Sequence, residues 1–282
     1  MRACFLKIAR TLFEKGGPDV CPLLAEVRTV VYLCTTDIAL DDMKTVLDLH
    51  THTLVSGHAF STIQEMVVQA SAIGLPYLGI TEHGPAIPGA PQPIYFRNLY
   101  CVPRSLNGVR LLMGAELNIL DYNGSLDLDD GCCERLDHVI AGIHRQVFRP
   151  GTVAQNTDAV LAAMSNKRVN IISHPADGAA QVDLEALVRA SRDTQTLLEV
   201  NNSSVNPVRH KTGAVSNNIE LLRLCRRYDV PVILGSDAHI AYSIADYSFL
   251  WPLIAETDFP EELIVNGDVR RFESFTGLHT CV

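Results

Sequence analysis

The chain has 282 residues, of which 47% are hydrophobic and 20% are charged, a composition that is ordinary for a globular protein. Its 23 basic and 32 acidic residues give a formal net charge of −9, which argues against a nucleic-acid partner and against binding to an anionic membrane surface. No run approaches the roughly 20 apolar residues of a membrane span, and Lys7 and Arg10 interrupt the apolar start that a secretory signal needs.

Eight cysteines are present, and none belongs to a C-x-x-C pair. Neither a zinc ribbon nor a redox motif is therefore indicated. In a chain of this length we expect the cysteines to be reduced and mostly buried, as in a cytoplasmic protein.

Residues 1–42 are predicted to form a unit separate from residues 43–282. The sequence "MKTVLDLHTH" from Met43 reads like the natural beginning of a domain. We expect residues 1–42 to be an N-terminal extension that packs poorly on the main domain, or the product of a mis-assigned start. Burial of Val30, Val31 and Leu33 in a packed strand or helix would refute this expectation.

Seven short apolar runs follow one another from residue 45 onward, and each is a candidate strand. Their apolar residues are nearly continuous, as in strands that are buried on both faces of a parallel sheet. Helical segments lie between several of them, which predicts βαβ units. The runs cover residues 45–52, 77–83, 110–117, 138–144, 169–174, 196–202 and 231–239.

The first predicted helix illustrates the spacing between runs. Ile63 and Met66 fall on one face, Ser61 or Thr62 is a candidate N-terminal cap, and Gly74 is a candidate stop. Similar spacing predicts further helices over residues 157–167, 183–193 and 217–228.

Each of the seven runs has polar side chains at its C-terminal end. In an α/β barrel these ends meet around one axis, and the reactive site lies at that face. The sequence therefore predicts an α/β barrel with one shared site at its rim. The end residues are His50, His52, His83, Glu116, His144, His174, Asn201, Asn202, Asp237 and His239.

The first run ends in an H-x-H pair. His50 and His52 are two positions apart, so on a strand both point to one face and could clamp a metal ion. His58 follows in a glycine-containing loop that could fold back over the strand end. Seven histidines and two carboxylates suit Zn²⁺, Mn²⁺ or Fe²⁺ rather than Ca²⁺ or Mg²⁺. They are too many for one tetrahedral ion, and they would serve three ions if a carboxylate bridges.

These motifs resemble those of the PHP (polymerase and histidinol phosphatase) superfamily, in particular its YcdX-type probable phosphatases. The resemblance rests on "DLHTHT", "ITEHGP", "GAELNI", "IAGIH", "IISHP", "EVNNSS" and "LGSDAH" and extends over about residues 43–276. It implies a distorted seven-stranded (β/α)7 barrel, a trinuclear metal site at the C-terminal strand ends and a homotrimer.

The resemblance also implies how the ions are held. Zinc, at three ions per subunit, is the expected cofactor, with manganese or iron as alternatives. The first ion would be bound by His50, His52, Glu116 and Asp237, the second by His58, His83 and His239, and the third by Glu116 as a bridge with His144 and His174.

The charge of such a site indicates the substrate class. Three divalent ions outweigh the charges of Glu116 and Asp237, which favours a small dianion such as a phosphate monoester. Because metal-bound water can have a pKa of about 7, a bridging hydroxide would be the nucleophile and no side chain is needed for that role. We therefore predict a metal-dependent phosphatase, a hydrolase of phosphoric ester bonds that acts on a small phosphorylated substrate.

Three other functions are considered. A PHP-type phosphodiesterase would use the same ions, and a non-catalytic metal-binding PHP module would keep the ligands without turnover. A metal-dependent amidohydrolase also begins with H-x-H on a barrel strand, but it normally needs a lysine in mid-chain, and none of the seven runs ends in one.

Weaker candidates lie beside these motifs. Asp48 precedes His50 by two residues and could orient a ligand imidazole, a structural contact being the equal alternative. Arg209 and Lys211 could hold phosphate, although a solvated loop is the preferred interpretation. His138 is expected at the far end of its strand, about 20 Å from His144 if that strand is extended.

Overall fold

The computed structural model describes residues 43–278 of the protein. The prediction of a poorly packed extension over residues 1–42, with its test on the burial of Val30, Val31 and Leu33, lies outside these residues and stays a prediction.

Seven parallel strands form a nearly closed barrel, as the apolar runs predict. The sheet order follows the chain, with one short antiparallel strand added at its side. The parallel strands are β1 (Leu47–Asp48), β2 (Tyr77–His83), β4 (Val109–Asn118), β5 (His138–Gly142), β6 (Ile171–Ile172), β7 (Leu197–Asn201) and β8 (Val232–Gly235), and β3 (Ser105–Leu106) pairs antiparallel with β4.

The first and last parallel strands meet beside the H-x-H motif. A parallel bridge joins Thr51 to Ala238. Nearer the other end of the strands, the side-chain amide of Asn266 donates to the carbonyls of Leu47 at 3.1 Å and Leu234 at 2.9 Å. These contacts hold β1 against β8, so the C-terminal ends of the seven strands surround one axis.

Two of the helices between the strands begin at capping boxes. Thr62 and Glu65 form a capping box at the start of α1 (Ile63–Ala72), which confirms Thr62 as the cap. Thr152 and Gln155 form another at the start of α4 (Val153–Met164). The other helices are α2 (Pro93–Arg97), α3 (Asp130–Cys133), α5 (Leu184–Thr194), α6 (Asn202–Val205), α7 (Ala214–Tyr228), α8 (Trp251–Glu256) and α9 (Val269–Thr276).

Apolar side chains form two layers, one on each side of the sheet. Leu111 and Met113 of β4 belong to the outer layer, which extends to residues of α1, α4, α5 and α7. The inner layer contains Leu47, Leu112, Ile140, Ile171, Leu197 and Ile233, with Phe272 of α9 packed against them. Because side chains alternate along a strand, Glu116 and Glu199 share the inner face with Leu112 and Leu197.

Two expectations about the environment can be compared with residues 43–278. None of the helices in this part of the chain is long and apolar enough to cross a membrane. The four cysteines within it are free thiols: Cys132, Cys133 and Cys225 are buried, and Cys101 is exposed.

Candidate metal centre

All nine residues predicted to bind metal lie together at the C-terminal ends of the strands. His83 and Glu116 are register partners on β2 and β4. His58 belongs to no strand and is returned to the strand ends by a 3₁₀ turn at Leu54–Ser56 and by Gly57, whose φ of 83° favours glycine. The other six follow their strands directly: His50 and His52 after β1, His144 after β5, His174 after β6, and Asp237 and His239 after β8.

The carboxylate of Glu116 lies at the centre of the group and is fully buried. Its two oxygens face different sets of imidazoles, so it joins the two sides of the cluster. Oε2 lies 3.3 Å from His50 Nε2, 3.4 Å from His52 Nε2 and 2.9 Å from His83 Nδ1, and Oε1 lies 3.0 Å from His174 Nε2 and 3.3 Å from His144 Nε2.

The inner side of the cluster brings hydrogen-bond acceptors face to face. Nδ1 of His52 lies 3.1 Å from the Ser56 hydroxyl, which gives its own proton to Glu82 at 2.6 Å. Nδ1 of His52 is therefore the donor, and its Nε2 carries a lone pair. This lone pair faces carboxylate oxygens of Glu116 at 3.4 Å and Asp237 at 3.3 Å. Such a contact is repulsive unless a cation lies among the three atoms.

Hydrogen-bond acceptors also face one another among the imidazoles of His58, His83 and His239, which form the outer side of the cluster. Nδ1 of His58 donates to the Ser56 carbonyl at 3.2 Å, and Nδ1 of His239 donates to the Asp237 carbonyl at 3.0 Å. Both rings therefore turn an Nε2 lone pair inward, and these two nitrogens are 3.0 Å apart. His83 Nε2 lies 3.3 Å from His58 Nε2. Three nitrogens in this arrangement fit the ligand set of one ion.

The spacing and the unpaired atoms also fit metal ions. Ligands bound at about 2.0–2.1 Å in tetrahedral geometry are about 3.3–3.4 Å apart, close to the contacts above. Among the buried atoms that have no hydrogen-bond partner within residues 43–278, four belong to the cluster, namely Glu116 Oε2, His83 Nδ1 and both ring nitrogens of His144. Mixed imidazole and carboxylate donors suit Zn²⁺, Mn²⁺ or Fe²⁺.

The donor atoms that lie close enough to share an ion form overlapping groups. Three groups have all donor atoms within 4.8 Å of one another: His50, His52 and Glu116; His52, His83 and His239; and His83, Glu116 and His144. The first lies within the ligand set predicted for the first ion, whereas the other two cross the predicted sets.

The cluster also controls the charge of its members. Burial would raise the pKa of Glu116, but the surrounding imidazoles, led by His50, hold the pKa well below its usual value. Asp237 behaves in the same way. Burial lowers the pKa of His52 well below its usual value, and it lowers the pKa of His144. Burial opposes the charged form of His50 and His174 as well, but the nearby carboxylates raise the pKa of His50 well above its usual value and raise that of His174. Charged carboxylates and neutral imidazoles are the forms that bind metal, so metal binding would release the protons of these two rings.

Two of the nine residues have unusual backbone conformations. His174 has a φ of 33° and Asp237 a φ of 53°, in the left-handed region that non-glycine residues adopt rarely. Such conformations cost about 1–3 kcal/mol each and occur often at functional sites. The fold therefore holds the side chains of His174 and Asp237 at the cluster in spite of this cost in backbone conformation.

A buried carboxylate that the sequence analysis missed supports two sides of the cluster. Glu199 Oε1 lies 2.6 Å from His50 Nδ1, and Oε2 accepts hydrogen bonds from the His174 amide at 2.8 Å and from the side-chain amide of Asn201 at 3.0 Å. Gly235 leaves space for it, because a Cβ there would lie 1.7 Å from Oε1. The signal in the sequence that could have identified Glu199 was its position on the inner face of β7, two residues before Asn201.

Another missed carboxylate links the cluster to the rim. Asp177 Oδ2 lies 3.4 Å from His174 Nδ1 and 2.7 Å from Lys211 Nζ. Lys211, a candidate for holding phosphate, therefore pairs with Asp177. Glu82, a third missed carboxylate, accepts hydrogen bonds from the Thr53 amide at 3.1 Å and from the Ser56 hydroxyl beneath His52.

Asp48 has a structural role rather than orienting an imidazole. Its carboxylate accepts hydrogen bonds from the Ser236 hydroxyl and, at 2.8 Å, from the Ala245 amide. Burial raises its pKa to about 6. His138 lies at the start of β5, at the end of that strand opposite His144 as expected, and donates to the Leu49 carbonyl at 3.0 Å.

A cleft of about 700 Å³ opens from the cluster. Its floor carries seven of the nine predicted ligands, and its outer part is lined by charged residues from three loops. The floor residues are His58, His83, Glu116, His144, His174, Asp237 and His239, and the charged residues of the outer part are Arg145, Asp177, Arg209 and Lys211.

Comparison with known proteins supports one family. The family model described as PHP domain matches residues 48–205. The chain is 42% identical over 233 residues to a Clostridium novyi protein named probable phosphatase, covering 83% of this chain and 95% of that protein. A Caldicellulosiruptor saccharolyticus protein of the same name is 41% identical over 233 residues, with 83% and 96% covered.

The fold also matches a solved structure. The crystal structure of histidinol phosphate phosphatase from Lactococcus lactis, complexed with zinc, L-histidinol and phosphate, has a TM-score of 0.53 and 20% sequence identity. The match covers 77% of this chain and 95% of that one, and it supports the barrel fold. Since the family model spans more than half of the sequence and the relatives align over nearly their whole length, the chain belongs to the PHP domain family.

Proposed function

We propose that the protein is a metal-dependent phosphatase that hydrolyses a small phosphate monoester at a site of three divalent ions. The broad class, a hydrolase of phosphoric esters, follows from relatives named probable phosphatase that align over 95% and 96% of their length. The observation that carries the proposal is the position of Glu116, whose two oxygens face five imidazole nitrogens.

The nine clustered residues would hold the ions. The proposed sets are His50, His52, Glu116 and Asp237 for the first ion, His58, His83 and His239 for the second, and Glu116, His144 and His174 for the third. The acceptor-to-acceptor contacts around His52 and between His58 and His239 support the first two sets, and the two-sided contacts of Glu116 support its bridging role. Zinc is the proposed metal, as in the Lactococcus lactis structure, with manganese or iron as alternatives.

Such ions, when bound, would neutralise the phosphoryl oxygens and make a water molecule acidic enough to act as the nucleophile. The protein's own residues supply the positioning. Glu199 fixes the ring of His50, Ser56 fixes the rings of His52 and His58, and Asp177 lies against His174. No side chain is proposed to form a bond to phosphorus. The cytoplasmic location and the homotrimer stay predictions.

The proposal is tested with purified, metal-loaded protein. We expect turnover of p-nitrophenyl phosphate to exceed that of bis-p-nitrophenyl phosphate, and Glu116→Gln to abolish it. The control is Glu134→Gln, which changes an exposed carboxylate that pairs with Arg168 and should leave turnover unchanged. Preference for the diester would favour a phosphodiesterase. Tight metal binding with no turnover of either compound would favour a non-catalytic module.

A further inference from the structure

The outer part of the cleft carries two arginines that pair with none of the acidic residues lining it in the described part of the chain. Among the described residues that line the cleft, the acidic ones are Glu116, Asp177 and Asp237. Glu116 and Asp237 belong to the proposed metal site, and Asp177 is paired with Lys211 at 2.7 Å. The remaining charges are the guanidinium groups of Arg145 and Arg209, in a protein whose formal net charge is −9.

The two arginines differ in the contacts that their side chains make. Arg145 donates to the carbonyls of Ala179 at 2.7 Å and Gly178 at 3.0 Å, so its guanidinium braces the loop that carries Asp177. The side chain of Arg209 is exposed and makes no hydrogen bond or ion pair with any residue between 43 and 278. Arg209 lies just before a left-handed residue, His210, with a φ of 50°, at the end of a 3₁₀ turn at Pro207–Arg209.

The cleft is also larger than a phosphoryl group requires. Its volume of about 700 Å³ is in the range of pockets that enclose a complete small molecule. A phosphoryl group bound at the floor would therefore place the leaving group against the outer walls. Guanidinium groups bind carboxylate and phosphate through paired N–H donors, so these walls favour a leaving group that carries its own negative charge.

We propose that the preferred substrate is a phosphate monoester whose leaving group carries a second anionic group, a carboxylate or another phosphate, and that Arg209 binds this group. The inference rests on the proposed phosphatase function and adds the substrate class. Arg209 is then a specificity-determining residue, and Arg145 supports the loop that carries Asp177.

Matched substrate pairs test this proposal, because each pair differs by one anionic group. 3-Phosphoglycerate and glycerol 3-phosphate differ by a carboxylate, and fructose 1,6-bisphosphate and fructose 6-phosphate differ by a phosphate. We expect the protein to prefer the more anionic member of at least one pair by about tenfold or more in kcat/KM. Arg209→Gln should lower that ratio about 10- to 100-fold, the range for hydrogen bonds to charged groups, and mainly through KM. The pair that responds identifies which anion is bound.

Arg149→Gln is the control variant, since Arg149 is an exposed arginine of the same loop as Arg145 and does not line the cleft. It should leave both ratios unchanged, which separates local binding from the effect of net charge. If a pair is not turned over, its ratio is read from inhibition of p-nitrophenyl phosphate hydrolysis.

Two results would overturn the inference while leaving the phosphatase function intact. One is hydrolysis of p-nitrophenyl phosphate with ratios near one on both pairs. The other is an equal loss on both members of a pair in Arg209→Gln, which would place Arg209 on the scissile phosphate. Absence of all monoester hydrolysis would instead refute the phosphatase function itself.

Discussion

Replacing Gly235 by alanine tests whether Glu199 supports the metal site. The new Cβ would lie 1.7 Å from Glu199 Oε1, 2.6 Å from its Cδ and 3.1 Å from its Cγ. To restore an ordinary contact of 3.4 Å, the oxygen would have to move by about 1.7 Å. A shift of that size is enough to break the 2.6 Å contact with His50 and to disturb the hydrogen bond to the His174 amide.

The size of the effect follows from what Glu199 does. Loss of a carboxylate that orients a metal-binding imidazole typically lowers metal affinity 10- to 100-fold, or by about 1.4–2.7 kcal/mol. Glu199 contacts two of the proposed ligand residues, so we expect Gly235→Ala to reach the upper end of this range. The affected ions should be those held by His50 and His174.

The assay is a competition for zinc against a chromophoric chelator, with Gly267→Ala as the matched control. A Cβ at Gly267 would meet its nearest atom at 3.8 Å, so this variant should bind zinc like the unchanged protein. In protein that already carries Glu199→Ala, Gly235→Ala should lower the zinc affinity by less than about twofold, because coupled substitutions are not additive. Unchanged zinc affinity in Gly235→Ala, or full additivity with Glu199→Ala, would refute the reasoning.

Three further predictions concern stability. Burial raises the pKa of Asp48 from 3.8 to about 6, so in metal-free protein its contribution to stability is fully present below pH 3.8 and is lost as the pH rises to about 6, by about 3 kcal/mol. The difference in unfolding free energy between the protein and Asp48→Asn, measured by urea unfolding from pH 3.5 to 7, should change by this amount, because the other titrating groups are common to both; a constant difference would refute the prediction. Met66→Ala should lower the free energy of unfolding by about 2–5 kcal/mol, since Met66 is fully buried. The control Val68→Ala changes a side chain that is 59% exposed and should alter this free energy by less than about 0.5 kcal/mol. Equal losses of unfolding free energy in the two variants would contradict the assigned core. Chelation of the metal should lower Tm by about 10 °C in a thermal scan, and an unchanged Tm would show that the cluster holds no ion tightly.

The barrel and the position of the nine residues could be predicted because both depend on local patterns. Continuous apolar runs followed by polar residues indicate buried parallel strands, and the C-terminal ends of such strands meet at one face. His83 and Glu116 illustrate the result, since they are register partners on neighbouring strands. His58 was predictable because a glycine follows the H-x-H motif and allows the chain to turn back.

The supporting carboxylates could not be recognised in the same way. Glu199 lies inside an apolar strand, and its partner His50 is 149 positions away in the sequence. Asp177 acts between His174 and Lys211, which come from different loops. Their roles depend on which strands become neighbours across the barrel, and a pattern along a single strand does not contain that information. For the same reason, the sequence does not determine which ligands share an ion. His83, for example, turns one ring nitrogen to Glu116 and the other to His58.

The number of metal ions per chain tests the central claim most directly. Protein purified without chelator can be measured by elemental analysis against its amino-acid concentration. The clustered residues predict about three zinc, manganese or iron ions per chain, with at least one lost in Glu116→Gln. A content of one ion or fewer in protein saturated with each metal would contradict the account.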